Sequence, residues 1–414
     1  MKNFFKKLKL KRRVIAVLAG LHFFGNPSKK LKIVGVTGTN GKTTTATLLY
    51  KISIALGYKT GLIGTVENII NTDVRTATHT TPDPINLNKL LKEMRDKECE
   101  YVFMEVSSHA LDQKRIAGIN FVGGIFTNLT HDHLDYHKSF DNYFVAKKKF
   151  FRMLPRRSFA LTNADDQYGL RMVEGIQAHP FSYGFEQDFN KVYFHGEIKK
   201  LDFSGLDLSF NKIQIKSIFL GKFNAYNLLS VWSTCSLLGF DMLKVKHVLA
   251  NIQPLRGRFE HFTSPSGVLV IVDYAHTPDA LLNVLKTIKD IKKENARVIL
   301  VFGCGGDRDP LKRPIMGKIG ANNSDVAIFT SDNPRSEDPE KIITEMKAKL
   351  SHEELAKVKT ISNRHQAILE AVKIAERGDI ILCAGKGHED YQEIKGIKHH
   401  FDDMEELKKA YGKL

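Results

Sequence analysis

The sequence predicts an α/β protein, and three observations predict it. Short apolar runs such as LKIVGVTG (31–38), YVFMEVSS (101–108) and ARVILVFG (296–303) alternate with helix-like stretches, the pattern of a parallel sheet. A glycine-rich loop, GVTGTNGKTTT (35–45), links the first run to a helix. A second strand–helix series begins after NIQPLRGR (251–258), and each of its strands ends in a polar cluster.

The elements follow in order. Residues 1–30 read as a basic segment, a short helix and then a turn at GNPSKK (25–30). Residues 31–254 form the loop-bearing domain, with strands at LKIVGVTG, YVFMEVSS, GGIFTNL (123–129) and SFALTNAD (158–165). The stretch 181–221 alternates apolar and polar residues around Gly turns, so a small antiparallel part is expected there. NAYNLLSVWSTCSLLG (224–239) reads as a helix. Residues 255–414 form a Rossmann-like α/β domain with strands VLVIVDYAH (268–276), ARVILVFG, DVAIFTSD (325–332) and DIILCAGKG (379–387). Open α/β sheets bind ligands at the carboxyl ends of their strands. The chemistry of this domain is therefore expected at DYAHTP (273–278), GCGGDRDP (303–310), SDNPRSED (331–338) and GKGHED (385–390).

Composition narrows the function. With 414 residues, 42% hydrophobic and 26% charged, the chain has an ordinary globular make-up and room for two or three cores. VIAVLAGLHFF (14–24) is too short for a membrane span, and no small-residue cleavage site follows it. Cys99, Cys235, Cys304 and Cys383 form no CxxC pair, which fits a reduced cytoplasm. The net charge is +16. No nucleic-acid module accompanies it, and phosphorylated small substrates equally favour a basic cleft. Residues 1–32 carry ten Lys/Arg and no Asp/Glu. Two readings of 1–24 stay open: weak contact with an anionic membrane surface through Phe4, Phe5, Leu8 and Leu10, or a helix packed on the next domain.

The glycine loop looks built for a nucleoside triphosphate. Gly38 and Gly41 let backbone N–H groups turn inward to phosphate, with Thr39 and Asn40 between them, and the helix N-terminus at Thr43 and Thr44 adds partial positive charge. Lys42 is expected to bridge the β and γ phosphates and Thr43 to ligate Mg²⁺. The strict GxxxxGK[ST] form is not met, since Val36 stands where it requires Gly.

TGTNGKTTT resembles the loop of the Mur ligases, ATP-dependent amide-forming enzymes related to folylpolyglutamate synthetase. Further segments resemble the family in the same order: TTPDP (80–84), MEVSSHALDQKR (104–115), TNLTHDHLDYH (127–137), YFVAKKKFF (143–151), FNAYNLLS (223–230), RGRFE (256–260), VDYAHTPDAL (272–281), GCGGDRDPLKRPIMG (303–317), TSDNPRSEDP (330–339) and AGKGHEDYQ (384–392). The resemblance spans about residues 22–403 and is to the branch that adds the third residue of the peptidoglycan stem peptide. It implies a P-loop central ATPase domain and an amino-acid-binding C-terminal domain. It also implies a reaction: the carboxylate of a UDP-MurNAc-dipeptide takes the γ-phosphate of ATP, and an amino group of a diamino acid displaces phosphate from the acyl phosphate.

The resemblance assigns residues. Glu105 and His133 are implied metal-binding groups with Thr43, while His131 and His137 read as hydrogen-bonding loop histidines. Lys147 matches the lysine carried as a carbamate, a carbon dioxide adduct that ligates a second metal; the residues alone leave Lys147, Lys148 and Lys149 open. Thr80, Thr81, Ser107, Gln113 and Arg115 match contacts to the muramyl dipeptide, although Thr80 and Thr81 also read as helix caps before Pro82. Asn224, Asn227, Arg258 and Asp273 match nucleotide-side groups, with His276 nearby. Arg308, Asp332, Asn333, Pro334, Arg335, Gly385 and Glu389 match the third-residue site. The DNPR form at 332–335 is that of meso-diaminopimelate-adding members; an Arg can clamp the second carboxylate that lysine lacks.

The chain departs from the family at its start, where residues resembling the junction after the usual UDP-gripping domain come directly. Expected solutions are weak uridine binding, a partner chain supplying that domain, or a non-UDP substrate. Rival readings of the whole are a Mur-like ligase for another carboxylate–amine pair, L-lysine included, and a non-catalytic nucleotide-binding scaffold.

Overall fold

The structure, a computed structural model, describes residue 18 and residues 23–130, 134–186 and 192–412. The expected basic helix of 1–24 falls almost wholly outside the described residues. The chain divides into two compact units, Met1–Leu201 with Gly205–Ile252, and Gln253–Leu414 with Asp202–Ser204.

The first unit is built on one eleven-stranded sheet. Its strands are β1 (Lys32–Thr37), β2 (Thr60–Ile63), β3 (Glu67–Ile70), β4 (Asp73–Thr76), β5 (Tyr101–Glu105), β6 (Phe121–Phe126), β7 (Phe159–Asn163), β8 (His179–Gly184), β9 (Phe194–Asp202), β10 (Gly205–Phe210) and β11 (Ile213–Ser217). They lie in the order β11-β10-β9-β8-β7-β6-β1-β5-β2-β3-β4. The centre is parallel, from β2 through β5, β1, β6 and β7 to β8. Period-two alternation puts Ile33 in the core on one face, with Val102, Phe121 and Phe150, and Val34 and Val36 in the core on the other, with Leu48, Phe103 and Trp232. Both faces are thus covered, as a parallel sheet requires.

One expectation is met in part and another needs correcting. The stretch 181–221 does carry an antiparallel pair, β10–β11, with Phe210 opposite Ile213, while β9 joins β8 in parallel, Tyr183 opposite Phe194. Alternation reports a half-buried strand, not its direction. Thr80 and Thr81 do not cap the helix Pro84–Asp96; Asp83 does, accepting from the N–H groups of Ile85 and Asn86, with Pro84 in the first turn.

The second unit carries a six-stranded sheet of β12 (Glu260–Thr263), β13 (Leu269–Asp273), β14 (Val298–Phe302), β15 (Val326–Phe329), β16 (Val358–Thr360) and β17 (Ile380–Ala384), in the order β12-β13-β17-β14-β15-β16. All pairs but β12–β13 are parallel. A separate ribbon joins β18 (Tyr391–Ile394) to β19 (Ile397–His400). In register, Asp273, Ala384 and Phe302 end side by side, with Phe329 beside Phe302. The four polar clusters therefore leave one edge of the sheet together. Arg364 and Asp403, both fully buried, form an ion pair at 2.7 Å, and Arg364 also donates to the carbonyl of Ala384 at the end of β17. All four cysteines are buried thiols.

Candidate functional site

Each unit carries its own cluster of chemical groups. In the first, the carboxyl ends of β1, β2, β5 and β6 converge, because Val36 pairs with Glu105, Thr37 with Phe126, and Ile63 with Met104. The loop after β1 leads into the helix Lys42–Ala55, whose N-cap, Gly41, offers no side-chain cap. Its first N–H groups thus point at the loop, the arrangement that favours an anion. Gly41 sits at φ +85°, and a Cβ there would meet Asn227 Oδ1 at 2.5 Å. A Cβ on Gly38 would fall 1.9 Å from Thr127 Oγ1. These positions admit only glycine without rearrangement.

The loop is braced from β6. Thr127 Oγ1 donates to Asn40 O at 2.6 Å, the Asn128 amide accepts from Asn40 N–H through Oδ1 and donates to Asn40 O through Nδ2, and Thr39 N–H donates to Asn128 O. Thr39 Oγ1 lies 3.2 Å from the Tyr143 hydroxyl. Lys42 Nζ folds onto the carbonyls of Gly38 and Thr39, at 2.9 and 2.6 Å. Thr44 is buried in the helix's first turn. Asn224 and Asn227 lie on the helix Lys222–Leu237 and bond to each other at 3.2 Å.

Glu105 is the hub. It is 1% exposed, and its carboxylate accepts from Thr43 Oγ1, Thr65 N–H and Thr65 Oγ1 at 2.8–3.0 Å. Among the described residues no cation pairs with it. A buried carboxylate is normally paired or holds a metal, and Thr43 and Glu105 give hard oxygen donors beside a phosphate loop, a set that fits Mg²⁺. His133 and His131 lie outside the described residues. His137 bonds beyond its own loop, Nε2 to Ser108 Oγ at 3.0 Å, and burial, with His109 beside it, holds its pKa below the usual value.

The three consecutive lysines have different surroundings. On the helix Phe140–Met153, Lys147 is buried, its Nζ 2.6 Å from Gly38 O and 4.6 Å from the Tyr143 ring centre. Lys148 reaches Arg171 O, and the exposed Lys149 lies 3.5 Å from Asp112. Only Lys147 of the three touches the phosphate loop.

The residues matched to the muramyl dipeptide also gather here. Thr81 Oγ1 donates to Glu105 O and accepts from Ser107 N–H. Thr80 Oγ1 lies 3.0 Å from Thr65 Oγ1. Arg115 donates to Thr81 O at 2.7 Å and to Gln113 Oε1. Thr65, Thr127 and Asn128 were missed as individual residues. The last two lie inside a quoted motif, whereas Thr65 has no sequence signal.

The second cluster stands at the strand ends of the second unit. Arg335 sits at φ +52°, a left-handed conformation costly for a side chain of its size. Its Nη1 donates to Gly306 O at 2.8 Å, and its Nε lies 3.4 Å from Glu393 Oε2. Arg308 and Arg335 both approach Gly305. Asn333 Nδ2 donates to Glu389 Oε2 at 2.7 Å, and Tyr274 OH to Glu389 Oε1 at 3.4 Å. Burial raises the Glu389 pKa, with Asp332 adding to it. Pro334 turns the chain between Asn333 and Arg335, and Gly385, at φ +112°, faces Asp332.

Arg258 and Asp273 belong to this second unit. Arg258 stacks on Tyr274 at 4.7 Å, and Asp273 accepts from Phe259 N–H; burial pushes the Asp273 carboxyl up to about 6 against the pull of Arg258. His276 packs on the Tyr274 ring at 4.5 Å. Lys386, wholly buried within GKGHED, was not singled out from the sequence.

Comparison with known proteins decides the family. A model described as the Mur ligase middle domain matches residues 36–235, and one described as the Mur ligase, glutamate ligase domain, matches 257–387. A relative from Bacteroides fragilis, named UDP-N-acetylmuramoyl-L-alanyl-D-glutamate–2,6-diaminopimelate ligase, is 52% identical over 95% of this chain and 80% of its own.

The chain belongs to the Mur ligase family.

A Clostridium perfringens protein of the same name is 42% identical over 96% of this Mur ligase and 82% of that relative. A solved structure of a ligase so named superposes with a TM-score of 0.68 at 32% identity, covering 97% of this chain and 82% of the other. Mycobacterium tuberculosis folylpolyglutamate synthase, at 17% identity and TM-score 0.70, shares the fold over 90% of this chain and 92% of its own. Mur ligases are ATP-dependent, and the braced glycine loop lies within the matched middle domain, residues 36–235. Among the described residues no helix is long and apolar enough to cross a membrane.

Proposed function

We propose that this Mur ligase joins meso-diaminopimelate to the D-glutamyl carboxylate of UDP-MurNAc-L-Ala-D-Glu, with ATP converted to ADP and phosphate, in the cytoplasm. The observation that carries the reading is the gathering of Lys42, Thr43, Glu105 and Lys147 around one loop, with Thr80, Thr81, Ser107, Gln113 and Arg115 adjoining Glu105. A scaffold has no use for that whole set. The relatives' names support the substrate pair.

The chemistry follows from the residues. A carboxylate is a poor acyl donor, since an amine takes a proton in its presence rather than an acyl group. Phosphorylation gives it a leaving group. Lys42 leaves its loop carbonyls to meet the β and γ phosphates, and the loop N–H groups orient them. Mg²⁺ held by Thr43, Glu105 and His133 would neutralise phosphate charge. Lys147 as a carbamate would add a second anionic ligand; carbon dioxide adds only to a neutral amine, and nearby metal favours the anionic product. Asn224, Asn227, Arg258 and Asp273 are assigned to the nucleotide. Arg308 and Arg335 are assigned to the diaminopimelate carboxylate, and Asp332, Asn333, Pro334, Gly385 and Glu389 frame its amino end.

The test is a product assay by mass spectrometry with ATP, Mg²⁺, bicarbonate, UDP-MurNAc-L-Ala-D-Glu and either meso-diaminopimelate or L-lysine. A diaminopimelate tripeptide without a lysine product is expected. No product despite bound ATP would overturn the substrate pair and favour a different acceptor.

A further inference from the structure

The second cluster contains a cation that the reaction above leaves unused. Lys386 is 0% exposed. Its Nζ donates to Tyr391 O at 2.5 Å and to Asn333 Oδ1 at 3.2 Å. It also lies 3.6 Å from Asp332 Oδ1 and 3.7 Å from Glu389 Oε2. A buried ammonium is retained where its charge is balanced, and here it stands between two carboxylates.

Its contacts fix the surrounding groups. Lys386 Nζ and Glu393 N–H can only donate, and both point at Asn333 Oδ1. The amide orientation follows, and its Nδ2 is turned onto Glu389 Oε2 at 2.7 Å. Asp332 Oδ1 is buried and makes no hydrogen bond. The unsatisfied capacity of the cluster is thus carboxylate oxygen, an acceptor that calls for a cationic donor. Other charged or titratable groups around it are Tyr274, whose hydroxyl meets Glu389 Oε1, Arg335, which acts on Glu389 and pairs with Glu393, Arg364 and the buried Cys304, which both interact with Asp332, and Tyr391, over whose ring Lys386 lies.

We propose that Lys386 is a positioning residue of the amino-acid subsite: it holds Asp332 and Glu389 together as a pair of carboxylates that receives the ammonium end of the incoming amino acid. With the lysine the trio carries one net negative charge, enough to attract one ammonium. Without it two buried carboxylates repel each other, so the pair either parts or takes up a proton, and in both cases it loses the geometry of two acceptors facing one ammonium. The proposal rests on the amino-acid reading of this cluster given above.

The experiment measures KM for meso-diaminopimelate and for ATP in wild type and Lys386→Met between pH 6.5 and 8.5. Wild-type turnover that depends on the diamino acid comes first; its absence overturns the functional reading and this proposal with it. Given that turnover, the expected result for the variant is a KM for diaminopimelate raised about tenfold or more at pH 7, falling back toward pH 8.5, with KM for ATP unchanged. A KM close to wild type, or one raised equally at every pH, overturns the positioning role and leaves the functional reading standing. Should the single variant fail to fold, K386M/E389Q decides, since it removes a cation and an anion together. A folded protein with a pH-flat KM supports the proposal; an unfolded chain or a pH-dependent KM overturns it.

Discussion

Lys42 and Lys147 donate to the same oxygen, the carbonyl of Gly38, at 2.9 and 2.6 Å. They come from different helices, 105 residues apart in sequence, and meet because β1 ends where the buried face of Phe140–Met153 passes. In the proposed reaction phosphate would draw Lys42 off that carbonyl and a carbamate would reverse the charge of Lys147, so that each would relieve the crowding of two cations.

Lys147→Arg is expected to abolish a carbamate signal observed with ¹³C-bicarbonate by NMR and to lower kcat about a hundredfold. Lys148→Arg and Lys149→Arg should keep both signal and rate, because neither side chain reaches the loop. Equal signals in all three variants would refute the assignment.

Glu105→Gln keeps the size of the hub and removes its charge. The Mg²⁺ concentration for half-maximal rate should rise about tenfold or more, read by magnesium titration at saturating ATP. An unchanged titration would take Glu105 out of the metal site.

Arg335→Ala removes the cation set by Gly306 and Glu393. KM for meso-diaminopimelate should rise roughly ten- to a hundredfold, the worth of about 1.5–3 kcal/mol for a hydrogen bond to a charged group. ATP binding, followed by calorimetry, should persist. Wild-type use of diaminopimelate would sink the assignment.

Gly38→Ala forces a Cβ onto Thr127 Oγ1. The loop must shift, at a cost of about 1–3 kcal/mol. A lowered melting temperature and lost nucleotide binding are expected together; a variant with wild-type ATP affinity would show that the loop geometry is not essential.

Acid stability follows from Glu337. Arg313, and then the N–H of Asp307, hold its carboxyl down to about 2. A carboxylate with a depressed folded pKa stabilises the protein above its unfolded pKa and loses that contribution as pH falls toward the folded value. Wild type should therefore melt higher than Glu337→Gln at pH 7, and the gap should close between about pH 5 and 2. A gap constant with pH would contradict the ion pair.

Much of this was legible because it is local. A strand, a glycine loop and GKT at 41–43 define one another by short-range sterics, and the strand ends at Asp273, Ala384, Phe302 and Phe329 follow from parallel pairing. What was not legible depends on three-dimensional burial. Three consecutive lysines differ only in which face of the helix each occupies, and that face is set by Phe150, Phe151 and Tyr143 packing inward. Thr81 reads as a cap until β5 places Glu105 and Ser107 beside it. Thr65 follows an unremarked strand, and Lys386 resembles any surface lysine until its neighbours close over it. The parallel entry of β9 escaped notice because side-chain alternation is the same in either direction.

The buried thiols carry a practical consequence. Cys99, Cys235, Cys304 and Cys383 are at most 5% exposed, and burial drives Cys304 up to about 12, so none presents a thiolate to an alkylating reagent at neutral pH. One cysteine introduced at an exposed position, such as Lys395 in the β18–β19 turn, would then be the sole labelling point on the intact enzyme. A fluorophore there would report the proposed amino-acid binding with every native cysteine kept in place.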